Sequence, residues 1–137
     1  MSVILDSSMA ICWLFEEEWT DAGLSVLDQV IATGAIVPSL WKLEVANVLR
    51  MAVRRGRCDE PFVDRSLRRL GDLVIGIDDQ TDDHAWDATL ALARSEGLTL
   101  YDAAYLELAL RLGLPLATGD KQLIAAAQSI GVAVLRP

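Results

Sequence analysis

Five short apolar runs recur along the chain with helix-length intervals between them: Val3-Ile4-Leu5, Ala35-Ile36-Val37, Leu73-Val74-Ile75, Leu114 to Thr118 and Val132 to Leu135. Strand and helix taken in turn build an α/β layered domain. The intervals carry helical spacing, at Leu24, Leu27 and Ile31, at Phe62, Leu67 and Leu70, and at Trp86, Leu90 and Ala93. Glycines at 34, 56, 97, 113 and 131 are placed to end helices, because the left-handed residue just beyond a helix end is cheap only without a Cβ. The runs do not alternate apolar with polar residues, which predicts a sheet buried on both faces and therefore parallel. No repeat, linker or low-complexity tract interrupts the 137 residues. The expectation is a single domain spanning 1–137, three layers of α/β/α around a parallel sheet of about five strands.

Composition narrows the chemistry. Two cysteines, Cys12 and Cys58, and one histidine, His84, fall short of a thiolate and imidazole zinc site, so a metal here must sit on oxygen. One histidine without G-x-S-x-G makes a serine-hydrolase triad a poor fit, and the Gly-rich nucleotide motifs are absent. Carboxylate chemistry or binding alone is left. Neither uncharged stretch, Gln29 to Trp41 or Gln122 to Leu135, reaches the ~18 residues of a membrane span. The N-terminus has neither a basic region nor a cleavage site, so a reducing cytoplasm is the expected compartment.

In open parallel sheets ligands sit at the carboxyl ends of the strands, and acids stand at such places. Asp6 follows the first apolar run directly, and Asp120 follows the fourth after one glycine. Each reads equally as a helix cap, and Asp102, in Thr99-x-x-Asp102, reads as part of a capping box. Glu44 differs, since it lies inside a helical segment with Leu40, Trp41 and Val48 on its face. A carboxylate on an inward face needs a partner or a metal, and a nearby arginine is the alternative to the metal. Together, three acids on one sheet edge and a fourth from a helix above it would converge on one cleft. Such a cleft selects a hard divalent cation, Mg²⁺ or Mn²⁺, able to acidify a water and screen a phosphodiester.

Val3-Ile4-Leu5-Asp6-Ser7-Ser8, then Glu44 in Leu43-Glu44-Val45-Ala46-Asn47, Asp102 in Tyr101-Asp102-Ala103-Ala104-Tyr105, and Thr118-Gly119-Asp120-Lys121-Gln122 together resemble the PIN-domain pattern in order and spacing. The chain is similar to VapC-type toxins of type II toxin–antitoxin pairs over nearly its whole length. The resemblance implies a Mg²⁺-dependent endoribonuclease whose carboxylates correspond to Asp6, Glu44, Asp102 and Asp120. It also implies a homodimer and a cognate VapB-type antitoxin whose tail blocks the cleft. Carried over by position, Asp6 and Asp102 are the main metal ligands and Asp120 closes the ring, while Glu44 holds a water and helps deprotonate it. Ser8 and Thr118 are hydroxyls orienting Asp6 and Asp120. Some relatives carry a further acid two residues after the fourth carboxylate. Gln122 stands here, which favours one resident metal with a second recruited by substrate.

A formal charge of −8 is a poor footprint for an RNA binder, but the charge is uneven. Residues 42 to 69 carry +4 and the remainder −12. Arg50, Arg54, Arg55 and Arg57 in the basic segment are candidate contacts for RNA or for an acidic antitoxin segment, or else an ordinary solvated face. Glu16-Glu17-Glu18 reads as a solvated helix end, Asp78-Asp79 and Asp82-Asp83 as helix caps, and His84 as a bystander. Trp13, Trp41 and Trp86 read as core or interface anchors, and Ile11 to Phe15 as a possible dimer or antitoxin surface. The competing reading is a non-catalytic Mg²⁺-binding α/β signalling or protein-interaction module of receiver type. That reading wants paired acids after the first strand, where Ser7-Ser8 stand here, and gives Glu44 no role. A PIN-like chain that has lost activity is disfavoured by the presence of all four acids.

Overall fold

The structure, a computed structural model, describes residues 2–137. Five parallel strands, β1 (Val3–Leu5), β2 (Ala35–Val37), β3 (Ile75–Ile77), β4 (Leu116–Ala117) and β5 (Val134–Leu135), form one sheet in the order β3-β2-β1-β4-β5. Parallel neighbours need crossovers, which the helices supply. After β1 come α1 (Ser7–Leu14), a 3-10 turn (Glu16–Glu18) and α2 (Asp21–Thr33). After β2 come α3 (Trp41–Arg54) and α4 (Glu60–Gly71). Then α5 (Thr81–Ala85), α6 (Ala88–Glu96) and α7 (Leu100–Leu112) lead to β4, and α8 (Lys121–Ser129) leads to β5. Helix α1 packs on α2 and α3, and α3 on α4, whereas α7 gathers α5, α6 and α8, with the sheet as the middle layer.

Strand order reverses at β1, whose next strand in sequence lies on one side and β4 on the other. The carboxyl ends of β1 and β4 therefore open onto the crevice where ligands bind in doubly wound sheets. Two-faced burial holds at this centre, where Val3, Ile4 and Leu5 are fully buried, and fails at the edge, where Gly76 and Ile77 of β3 are exposed. The third run is also displaced in sequence. The N–H groups of Asp72 and Leu73 bond back to the last turn of α4, so the ladder begins only at the Val74 carbonyl, which accepts from Ala35. The fourth run is shorter than its apolar stretch because Pro115 has no N–H, though its carbonyl accepts from Ile4.

All five expected helix-ending glycines have positive φ. Gly34 shows the need most directly, since at φ +77 a Cβ would lie 2.9 Å from the Val74 carbonyl oxygen that starts β3. The helix faces correct the periodicity reading. In α2 the buried stripe is Gly23, Val26 and Val30, one position round from Leu24, Leu27 and Ile31, and Ile31 is exposed. In α4, Leu70 is buried but Leu67 is exposed, and Trp86 is an exposed cap between α5 and α6, not a core anchor. Ile11 to Phe15 is no surface: Ile11, Trp13, Leu14 and Phe15 are buried, and Trp13 donates its indole N–H to the Gly23 carbonyl at 2.9 Å. Among the described residues no helix is long and apolar enough to cross a membrane.

Candidate active site

The site starts where β1 ends. The Asp6 N–H bonds to the Ala117 carbonyl, prolonging the pairing with β4, and the Asp6 carbonyl accepts from Met9 to open α1. Its backbone is in the cap position, yet its carboxylate makes no capping bond. Instead the Asp6 carboxylate is buried and its Oδ2 accepts from Ser8 Oγ at 2.6 Å and Thr118 Oγ1 at 2.7 Å. Each hydroxyl owns one proton. Ser8 Oγ also accepts the Gly119 N–H at 2.9 Å, and Thr118 Oγ1 accepts the Asp120 N–H at 3.0 Å, so both hydroxyl protons point at Asp6. This cradle ties the β1–α1 corner to the β4–α8 corner and leaves Oδ1 with only a 3.5 Å approach from Ser7. Thr118 was expected to orient the Asp120 carboxylate. It serves Asp6 instead and reaches Asp120 only through the backbone.

Asp120 does take the helix-cap role, its Oδ1 accepting from the Leu123 N–H at 2.9 Å. Asp102 lies in the first turn of α7, where Thr99 Oγ1 caps the helix by accepting the Asp102 N–H at 3.2 Å. One turn on, and so on the same face, Tyr105 is fully buried and donates its hydroxyl to Glu44 Oε1. The buried stripe of α3 is Trp41, Val45, Leu49 and Ala52, with Glu44 half-buried at its border. The partner that burial demands is therefore Tyr105 and not an arginine. Sequence reasoning quoted Tyr105 but gave it no role; its i+3 spacing from Asp102 was the available signal.

Asp6, Asp102 and Asp120 line a cleft of about 310 Å³ together with Ser7, Ser8, Glu18 and Arg57. Among the described residues none of the four predicted acids forms an ion pair. Burial pushes Asp6 above the usual carboxylate range, Asp120 adds to the rise, and the Ser8 and Thr118 hydroxyls oppose it. Burial likewise raises Asp102, helped by the charges of Asp120 and Asp6. Burial raises Glu44 too, the Tyr105 hydroxyl opposing, with Asp6 and Asp102 adding repulsion. Glu44, which is not part of the cleft wall, is thus linked to it through the charges of Asp6 and Asp102.

Among the described residues no three acidic, cysteine or histidine side chains are gathered closely enough to hold a metal by themselves. The donor set nonetheless suits a hard cation bound by one or two carboxylates and several waters, the habit of Mg²⁺. Unneutralised like charges in a desolvated cleft are the observation that calls for such an ion.

The PIN domain sequence profile matches residues 3–128. The chain belongs to the PIN-domain family. It is similar to Ribonuclease VapC3 of Pyrobaculum aerophilum, 29% identical over 123 residues that cover 90% of this chain and 92% of that one. Exonuclease VapC9 of the same organism is 35% identical over 82 residues, 60% of this chain and 59% of that one. Among solved structures, PAE2754 from Pyrobaculum aerophilum superposes with a TM-score of 0.70 at 24% identity, covering 98% of this chain and 90% of that one.

In this PIN-domain protein the remaining predicted residues divide. Of the four arginines only Arg57 lines the cleft; Arg50, Arg54 and Arg55 are exposed elsewhere on and after the end of α3. Arg57 lies 3.6 Å over the Phe15 ring and pairs with Glu17 at 3.0 Å and Glu18 at 2.5 Å, so two of the three acids in the triplet anchor it. Asp78 is not the cap of α5, which has no side-chain cap. It accepts from Arg111 Nη2 at 2.6 Å and Thr81 Oγ1 at 3.0 Å, outside the cleft. His84 stays away from the acids of the cleft, 3.7 Å from buried Glu107.

Proposed function

We propose that this PIN-domain protein is a divalent-metal-dependent endoribonuclease, the toxin of a type II pair, which hydrolyses RNA phosphodiesters in the cleft of Asp6, Glu44, Asp102 and Asp120. The observation that carries the reading is the cradle of Asp6: a buried carboxylate that declines its capping bond, is oriented by two hydroxyls and shares repulsion with three other acids. The VapC relatives support the nuclease chemistry and the toxin assignment.

Asp6 and Asp102 would hold Mg²⁺, or Mn²⁺ in its place, with Asp120 completing the set through water. When bound, such an ion supplies a Lewis acid that acidifies a water and neutralises the phosphodiester under attack. Ser8 and Thr118 hold the Asp6 carboxylate through Oδ2, so Oδ1 would be the oxygen offered to the ion. Glu44, its Oε1 fixed by Tyr105, keeps Oε2 to receive the proton of the attacking water. Four acids repel RNA until neutralised, so metal binding and substrate binding are coupled. A homodimer in the cytoplasm, silenced by a VapB-type antitoxin that covers the cleft, completes the proposal.

The test is cleavage of total cellular RNA by the purified chain in Mg²⁺, in EDTA and as Asp102→Asn, read at nucleotide resolution. Internal fragments that need the metal and vanish in the variant are expected. Shortening only from the ends would replace endonuclease by exonuclease, and a folded, metal-binding chain that leaves RNA intact would favour a binding module.

A further inference from the structure

Beside the acidic cleft, and sharing Arg57 with it, lies a second groove of about 580 Å³ between the 3-10 turn and α4. Its walls carry Arg57, Arg65 and Arg69, with Trp19 and Phe62. Trp19 is 47% exposed, yet its indole N–H donates to the Trp13 carbonyl at 2.9 Å, which holds an exposed ring still. An exposed aromatic that is fixed in place loses little entropy when a flat ligand stacks on it. Arg65 and Arg69 stand one turn apart on α4, about 6 Å along its axis, enough to serve two phosphates. Among the described residues neither guanidinium has an ion-pair or hydrogen-bond partner. Three acids, Glu16, Glu17 and Asp59, share the groove and balance its three arginines in number; Asp59 caps α4 through the Phe62 N–H and Glu17 pairs with Arg57, while Glu16 is exposed.

We propose that this groove is a subsite for single-stranded RNA, holding the nucleotides next to the scissile phosphate. Trp19 stacks a base, Arg65 and Arg69 hold phosphates, and Arg57 hands the strand from the groove to the cleft. The proposal rests on the ribonuclease reading and extends it to a strand path. Planar guanidiniums and an aromatic face are the pairing that reads unpaired nucleotides without regard to sequence. In the free protein Glu17 and Glu18 stand where the RNA phosphate binds, so the strand exchanges one anion for another at Arg57.

The test is binding of a fluorescein-labelled, unstructured oligoribonucleotide of ~12 nucleotides, and of a trinucleotide, to the full chain in Mg²⁺ with Asp102→Asn as the non-cleaving parent. Arg65→Gln with Arg69→Gln should weaken the longer RNA about tenfold and lower the salt slope by ~1.4, or ~0.7 per lost phosphate contact. Trp19→Ala should weaken it about tenfold, while Trp19→Phe, which keeps a stacking face, should bind like the parent. The trinucleotide should bind all of them alike. Unchanged affinity and slope for the longer RNA would overturn the proposal, as would equal losses on the trinucleotide. An acidic peptide that needs Arg65 and Arg69 while RNA does not would assign the groove to a protein partner and overturn it too. A parent that binds RNA through the groove without the wild type cleaving any would sink the ribonuclease reading and leave the subsite standing.

Discussion

Two acidic clusters lean on the same helix, α7, and behave in opposite ways. At the end of β3, Asp78 meets Arg111 at 2.6 Å, and Arg111 also bonds Glu107 at 2.7 Å. Burial works to raise Asp78, but hydrogen bonds from Arg111, Thr81 and the Gln80 N–H outweigh it, and its carboxyl is held below the usual range. At the ends of β1 and β4, Asp6 and Asp120 share a cleft with Asp102, none has a cation, and Asp6 and Asp102 are pushed up. In the first cluster both carboxylates are bonded to one guanidinium that the chain itself supplies. The second leaves its carboxylates without an ion pair and raises Asp6 and Asp102, and such a perturbed cluster in a cleft is the mark of a site as opposed to a clasp.

The sharpest way to break this contrast is to neutralise one member of each. Asp102→Asn should lower RNA cleavage by more than the ~10- to 100-fold that loss of a supporting hydroxyl costs, and should raise the melting temperature of the metal-free chain by relieving repulsion. Arg111→Met should do the reverse. It strands two buried carboxylates at a cost of about 3 kcal/mol, read by denaturant unfolding, while the folded fraction keeps its turnover. A destabilised Asp102→Asn would mean that the cleft acids are structural after all.

The two clusters also predict opposite pH dependences. For Asp6, Glu44 and Asp102 the folded pKa is raised, so their contribution to stability is fully present below the ordinary carboxylate value of ~4 and is lost as pH rises through the raised folded values. For Asp78 the folded pKa is lowered, so its contribution is present above ~4 and lost as pH falls through the lowered value. Melting curves against pH should show that Mg²⁺ removes the first loss and leaves the second. Asp78→Asn should remove only the second.

Smaller effects sharpen the picture of the cradle. Thr118→Val and Ser8→Ala should each lower metal affinity or activity by ~10- to 100-fold, the buried Thr118 more than Ser8, measured by Mg²⁺ titration of cleavage. Tyr105→Phe, which frees Glu44 from the hydroxyl that opposes its rise, should cost about 1 kcal/mol of stability and move the pH profile of cleavage upward.

Much of this was open to a reader of the chain. The first two strands were found to the residue because apolar runs and helix-ending glycines act over a few neighbours, and five glycines in a row obeyed them. The edge of β3 and the buried faces of α2 and α4 were misjudged, since which side of an amphipathic stretch is covered depends on what packs there. Of the four acids read in order from the sequence, Asp6, Asp102 and Asp120 meet at one cleft and Glu44 stands beside it, while the family pattern is matched over residues 3–128. Local pattern alone, without the family resemblance, does not separate Asp6 from Asp78, for each follows an apolar run and precedes a helix. Only the tertiary structure set Arg111 against one and two neutral hydroxyls against the other. Local pattern fixes where an aspartate stands, whereas its charge balance is decided by residues 33 and 112 positions away that the crossovers bring home.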